Sequence, residues 1–307
     1  MIPHSATPHS DSGAKPRASS FSTATATFVV VSSMVGGGVL TTSGFTVGET
    51  QSNALMLALW AFGGLVALCG ALTLGELSAA LPRAGGEYAI LAEAYGPCAA
   101  FLSGWVSLIL GFAAPIAATG SAAADYLLTP LGLPDPLVSR AFASALILGF
   151  AAIHTTGRDQ AARLQTAITV AILIVLTVFV VAGLIAGWPQ RINLADWPGL
   201  EEVSPGALIF PLVYVAYAYT GWNAAAYLGG EVDDPKRLPR AIVLGTTLVV
   251  VLYLGMNTVY ALALPAREVV ALQRGGGPHA VERIADLAAG RLFPPGWSTR
   301  LSVGGGL

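Results

Sequence analysis

From residue 25 onward the chain alternates long apolar runs with short polar stretches, and the runs fall at 25–49, 55–81, 97–128, 137–154, 164–187, 206–229 and 241–264. Each reaches or exceeds the roughly 18 residues that separate a membrane span from a buried core helix. Val, Ile, Leu and Ala run on within them without period-two alternation or hairpin turns. That excludes an outer-membrane barrel and predicts helices that satisfy their own backbone hydrogen bonds. The pattern therefore predicts an all-α membrane protein of about seven spans in one domain, 25–264. Residues 1–24 are expected to form a disordered cytosolic tail. Pro, Ser and His dominate it, no small-residue cleavage pattern stands before the first span, and the run leads into further spans rather than ending a signal peptide. Residues 265–307 are expected on the opposite side as a mostly polar segment. It contains an amphipathic helix over 280–293 and an end, 302–307, that resembles no domain ending.

Composition agrees with that reading. Of 307 residues, 54% are apolar and 10% charged, against roughly 25% charged in a soluble chain. Such a chain cannot cover itself with polar surface, so the lipid bilayer is its first partner. A net charge of -2 without a basic stripe excludes nucleic acid as a partner. Cys69 and Cys98 have no CxxC or Cys/His spacing, so neither a disulfide framework nor a zinc site is expected. They are read as small apolar fillers. No cofactor motif is present, and no intramembrane Ser/His, paired-Asp or HExxH constellation suggests an enzyme.

Orientation follows from the short loops, where cations favour the cytosol. With the N-terminus inside, eight cations (Lys15, Arg17, Arg83, Arg158, Arg163, Lys236, Arg237 and Arg240) lie on the cytosolic side and two, Arg140 and Arg191, opposite. Five further arginines after residue 264 dilute the bias without reversing the choice.

Two spans carry interruptions that an ordinary helix would avoid. Gly36, Gly37 and Gly38 stand in the middle of the first, and each forfeits roughly 1 kcal/mol of helix propensity. Unwinding there would free backbone N–H groups at the start of the resumed helix, where the positive end of its dipole suits a carboxylate. Close approach of a neighbouring helix is the plain alternative for such glycines. A nucleotide loop is excluded, because no strand precedes them and Gly-x-Gly-x-x-Gly is not completed. The sixth span contains Tyr217-Ala218-Tyr219-Thr220-Gly221-Trp222-Asn223. A break at Gly221 would expose carbonyls able to accept from an ammonium group. An interfacial aromatic belt is the alternative for Tyr217, Tyr219 and Trp222. Paired breaks of opposite polarity match the carboxylate and amine of a free α-amino acid, and paired discontinuous helices mark transporter sites.

These residues resemble the amino acid-polyamine-organocation permeases. Met34-Val35-Gly36-Gly37-Gly38-Val39 is similar to that family's first-helix break. The run Gly75-Glu76-Leu77, Pro82-Arg83-Ala84-Gly85-Gly86-Glu87-Tyr88, Tyr95-Gly96-Pro97 and Phe101 to Trp105 is similar to its second helix, first cytosolic loop and third helix. Ala218 to Asn223, with Glu231, Asp234-Pro235 and Leu238-Pro239-Arg240-Ala241, is similar to its sixth helix and following loop. The resemblance implies a LeuT-like bundle built on a five-plus-five inverted repeat, with helices 1 and 6 broken and substrate held between them. It implies a permease for amino acids, and the low charge along the proposed pocket favours neutral over cationic substrates. Val35, Gly36, Gly37 and Gly38 would receive the carboxylate. Tyr217, Ala218 and Thr220 would take the amine and line the side-chain pocket, and Asn223, counted with these substrate-site residues, would tether the broken helix and help gate. Arg83, Glu87 and Glu231 would be structural or cytosolic-gate partners. Many relatives carry a lysine in the fifth helix where Ile172 stands, so the resemblance assigns no coupling ion. The family has about twelve spans, so this chain is expected to be cut after the seventh, with an inactive or partner-dependent fragment as the alternative to a working permease.

Other ionisable residues offer less. Glu76, in the last turns of the second span, is the deepest and is expected to snorkel to the cytosolic interface. Glu49 and Asp125 lie near outer rims, and His154 closes the fourth span.

Overall fold

The computed structural model describes residues 22–81, 85–128, 131–133, 135–155, 157–187, 206–228, 234–276 and 279–293, and these are helical almost throughout. The first apolar run forms two helices, α1 (Thr23–Met34) and α2 (Gly38–Thr50), bent by 44° about Val35–Gly37. The second forms α3 (Asn53–Ala80), capped by the Ser52 hydroxyl. A short helix α4 (Gly86–Tyr95) leads through Gly96 into the third span. That span comprises α5 (Pro97–Val106), a π-helical segment (Ser107–Ala113) and α6 (Ala114–Leu128). The fourth and fifth are α7 (Pro136–Thr155) and α8 (Arg158–Gly187).

The sixth run again divides, into α9 (Gly206–Ala218) and a 3₁₀ turn (Trp222–Leu228). The seventh is α10 (Leu238–Ala263). Five described helices are each long and apolar enough to cross a membrane, and the bent α1–α2 pair brings the number to six where it is counted as one broken span. The apolar part of α9, Leu208–Ala218, is too short to cross alone, as expected of a span interrupted partway. The seven segments thus fall where hydropathy places them, with the first and sixth broken. The protein is an all-α, multi-pass membrane bundle.

α10 forms the centre. It packs against α1, α3 and α8, and its Ile242, Tyr253, Met256, Val259 and Tyr260 are fully buried or nearly so. α3 approaches its neighbours through a glycine face: Gly63 meets Val215 and Gly64 meets Val250, Gly70 lies under the Trp222 indole, and Gly75 abuts Pro239. Without Cβ atoms the helices come close enough for dispersion contacts to replace the hydrophobic drive that lipid removes. Around this core the outer faces of the third and fourth spans display Phe101, Leu102, Trp105, Leu108, Leu110 and Leu148, a surface suited to hydrocarbon.

The segment after α10 is more helical than its polarity suggests. α11 (Ala266–Gly276), α12 (His279–Glu282) and α13 (Ile284–Leu292) follow one another. The amphipathic helix expected over 280–293 is therefore divided, with Arg283 outside helical geometry at φ -99°, ψ 41°. The three lie against α2, where Gly44 faces the Val281 backbone and Gly48 faces the Gln273 amide. Glu268 and Arg291 join α11 to α13 at 2.7 Å. Cys69 and Cys98 are both free and exposed, so they fill no gap in the core. Their small apolar bulk instead faces outward. Glu76, Glu49 and Asp125 are likewise exposed, and the His154 ring bonds the Phe150 carbonyl of its own helix at 2.8 Å.

Candidate substrate site

The two breaks touch. A Cβ built on Gly38 would lie 3.0 Å from Ala218 Cα, and Gly221 packs onto the Ser33 carbonyl at the end of α1. Gly221 has φ +109°, a backbone conformation open to glycine alone at little cost. Both interruptions thus converge on one point inside the bundle, flanked by α3 and α10.

At the first break the Val35 N–H still bonds Val31 O at 2.8 Å, closing α1. The Gly36 amide lies beside the Tyr253 hydroxyl oxygen. α2 restarts with no side-chain cap at Gly37. The Gly37 carbonyl accepts from Leu40 N–H, Thr41 N–H and the Thr41 hydroxyl at 3.0 to 3.1 Å, which fixes the first turn. The first N–H groups of a helix have no partner within it, so those of Gly38 and Val39 stand at the dipole's positive end with Gly37 before them. Among the residues expected to receive a carboxylate, Gly37 and Gly38 keep that capacity in this geometry. Val35 and Gly36 have other neighbours for their N–H groups. The next N–H, that of Val39, belongs to a fully buried residue. Gly36 and Gly37 are exposed, and a Cβ on either would meet nothing within 4 Å.

At the second break the Tyr217 carbonyl accepts from both Thr220 N–H (3.1 Å) and Thr220 Oγ1 (2.7 Å). Its two lone pairs are therefore occupied, and the Thr220 hydroxyl is turned back onto the chain. Ala218, which abuts Gly38, is left with a carbonyl that no described hydrogen bond occupies. Tyr217 is 50% exposed and Ala218 4%, so Tyr217 is accessible at the break while Ala218 is buried against Gly38.

Beyond the break, Asn223 Nδ2 donates to Glu87 Oε1 at 2.8 Å, joining the 3₁₀ turn to α4. The same turn is gripped again at Tyr227, whose ring lies over Gly86 and meets Phe112 edge-on at 5.9 Å, in the π-helical part of the third span. Arg83 and Glu231 lie outside the described residues.

Sequence reading missed the aromatic scaffold behind both breaks. Trp60, Tyr219 and Tyr253 are buried to 2% exposure or less and pack mutually at centroid distances of 5.3 to 5.7 Å. The Tyr219 hydroxyl donates to the Trp60 carbonyl at 3.2 Å and the Tyr253 hydroxyl to the Met34 carbonyl at 2.7 Å. Each hydroxyl thus hooks a broken span to an unbroken one. A cavity of about 70 Å³ lies on another side of α1, lined by Ser32, Val35, Gln165, Ile168, Thr169, Ile172 and Leu173. It falls far below the few hundred Å³ of a ligand pocket, and none of its described lining residues is a cation.

Residues 21–305 match the amino acid permease family. The chain belongs to that family. It is 29% identical over 250 residues to the b(0,+)-type amino acid transporter 1 of Homo sapiens, covering 80% of this chain and 51% of that one. It is 30% identical over 269 residues to the serine/threonine exchanger SteT of Bacillus subtilis, covering 87% and 60%. A third relative, the Asc-type amino acid transporter 1 of Mus musculus, is 26% identical over 253 residues, 79% and 47%. The chain spans about half the length of the curated relatives it matches.

Proposed function

We propose that this permease-family chain carries the substrate-holding part of a secondary transporter for amino acids, neutral ones first, that works by alternating access. The observation that supports the reading best is the meeting of two broken spans with opposite backbone polarity. Free N–H groups at Gly37 and Gly38 stand at the start of α2, and Ala218, whose carbonyl is unoccupied, abuts Gly38. A substrate carboxylate would take the N–H groups and its ammonium group the Ala218 carbonyl, with the side chain toward Tyr217. The absence of charged side chains among these residues favours neutral substrates, and the serine/threonine exchanger makes threonine a natural first probe. Substrate would enter with the outer side open. The half-helices then close over it, and rocking of one helix group against another opens the inner side. Only tighter binding to one state can drive that exchange of states. The cation bias of the loops supports a cytosolic N-terminus, and the protein is read as a multi-pass protein of the plasma membrane.

The Asn223–Glu87 bond lies beyond the second break, where a tether would control movement of the 3₁₀ turn. Asn223→Asp sets two carboxylates against each other and is expected to cut threonine uptake into proteoliposomes by roughly tenfold or more, since like charges at contact cost several kcal/mol. Adding Glu87→Gln restores a donor–acceptor pair with the roles reversed and is expected to recover most of the lost rate. Uptake unchanged by Asn223→Asp, or no recovery in the double variant, contradicts the tether. Failure of the wild-type chain to take up or exchange any neutral amino acid contradicts the transport reading.

A further inference from the structure

We propose that the Tyr253 hydroxyl is a positioning group for the carboxylate cradle: by holding the Met34 carbonyl it sets the direction in which the Gly37 and Gly38 N–H groups point. The inference rests on the reading of this site as an amino-acid site, and it assigns a role to a residue of the seventh span that touches no substrate.

The argument begins with what α1 and α2 lack. A helix that ends inside a membrane leaves carbonyls unpartnered, and each is expensive where no water can reach it. α1 closes Val31 O with its own Val35 N–H, but Met34 O lies past that last turn and receives a side chain from elsewhere. At the other edge of the break, α2 has no side-chain cap, and a Cβ on Gly36 or Gly37 would meet nothing within 4 Å. Neither half-helix therefore fixes the turn between them. Tyr253 does so from outside. Its hydroxyl donates to Met34 O at 2.7 Å, and the Gly36 amide lies beside the hydroxyl oxygen itself. One hydroxyl thus spans the gap where a continuous helix would have used backbone bonds.

The hydroxyl is itself well fixed. Tyr253 is fully buried on α10, the most enclosed helix of the bundle. Trp60 meets its ring edge-on at 5.7 Å and 82°, and Tyr219 lies 5.3 Å away. Rotation about either side-chain torsion would break that packing. The result is a rigid post from an unbroken span that determines the angle of a broken one, and a charge-assisted hydrogen bond is sensitive to angle. Tyr219 is the internal control. It belongs to the same aromatic group and has the same chemistry, yet its hydroxyl is directed to the Trp60 carbonyl of α3, away from Met34.

The test uses the full chain in lipid nanodiscs, with Tyr253→Phe and Tyr219→Phe compared for binding of L-threonine and L-threoninamide, which lacks the carboxylate. Tyr253→Phe is expected to weaken threonine binding by about tenfold, the loss that a misaligned bond to a charged group carries, while leaving threoninamide nearly unchanged. The preference for the acid over the amide therefore collapses. Tyr219→Phe is expected to keep that preference within about twofold. If Tyr253 serves folding alone, both ligands weaken together and the preference is kept, which overturns the proposal. Hydrogen exchange over 31–41 supplies a readout independent of ligand. Faster exchange there in Tyr253→Phe, with 53–80 unchanged, supports the role, and unaltered exchange overturns it. If the wild-type chain binds no neutral amino acid, the transport reading fails on its own account and the exchange result still decides on Tyr253.

Discussion

Replacing Gly37 with leucine is expected to abolish amino-acid binding, by about 100-fold or more, while the helical bundle stays folded. The two halves of this expectation have separate physical grounds. Gly37 has φ -60° and ψ -18°, a conformation that any L-residue adopts, and a Cβ there meets nothing within 4 Å. Removing a glycine from such a position raises helix propensity by up to about 1 kcal/mol, so the fold has nothing to lose. An isobutyl group would, however, fill the open space at the Gly37 and Gly38 N–H groups, where the carboxylate is proposed to sit. Excluding the ligand by overlap removes at least about 2.7 kcal/mol, the equivalent of that factor. Binding measured in nanodiscs, with thermal unfolding on the same sample, checks both halves. Undiminished binding contradicts the site, and loss of folding contradicts the account of open space at Gly37.

Gly221→Ala is expected to do the reverse and damage the fold itself. A Cβ at this position would overlap the Ser33 carbonyl and approach Met34 N within 2.9 Å, both of them backbone atoms that cannot swing aside. The φ of +109° adds strain for any residue with a Cβ. Strain of about 1 to 3 kcal/mol and overpacking of about 1 to 3 kcal/mol together consume much of the stability of an ordinary domain. The expected outcome is a large fall in the unfolding midpoint, or aggregation on extraction, measured by fluorescence-detected gel filtration with heating. A variant as stable as wild type contradicts the junction of the two breaks. Gly37 and Gly221 look alike in the sequence, and only their surroundings separate a glycine that leaves room from one that fills it.

That contrast also indicates how far residues alone reveal this protein. The spans were legible because a membrane demands some 20 apolar residues for each crossing, a constraint that neighbouring structure does not override. The breaks were legible at Gly36–Gly38 and Gly221 because each lowers helix propensity where nothing in a run of Val, Ile and Leu explains it. The direction of hydrogen bonds at those breaks was not. Val35 and Gly36 share the motif with Gly37 and Gly38, yet α1 engages the Val35 N–H and Tyr253 flanks the amide of Gly36. Tyr253 was invisible for a plain reason. A tyrosine in a long apolar run has the same pattern whether its hydroxyl faces a headgroup or a buried carbonyl 219 positions away. The division of the 280–293 helix at Arg283, and the extra helix α11, depend on packing against α2, which local periodicity does not encode. The Asn223–Glu87 bond joins two expected residues across 136 positions. Each was legible singly, their pairing only in three dimensions.

The central claim is that the two breaks together read the carboxylate and amine of one free amino acid, and competition binding tests it most directly. Purified protein in nanodiscs is offered radiolabelled L-threonine, with unlabelled threonine, its decarboxylated amine and its deaminated hydroxy acid as competitors. The account predicts that threonine competes at least about tenfold better than either analogue, because each analogue leaves one half-site without its charge-assisted partner, worth about 1.5 to 3 kcal/mol. Equal competition by one analogue would show that its missing group is not read. Equal competition by both, or no specific threonine binding together with none by other neutral amino acids, would contradict the site as a whole.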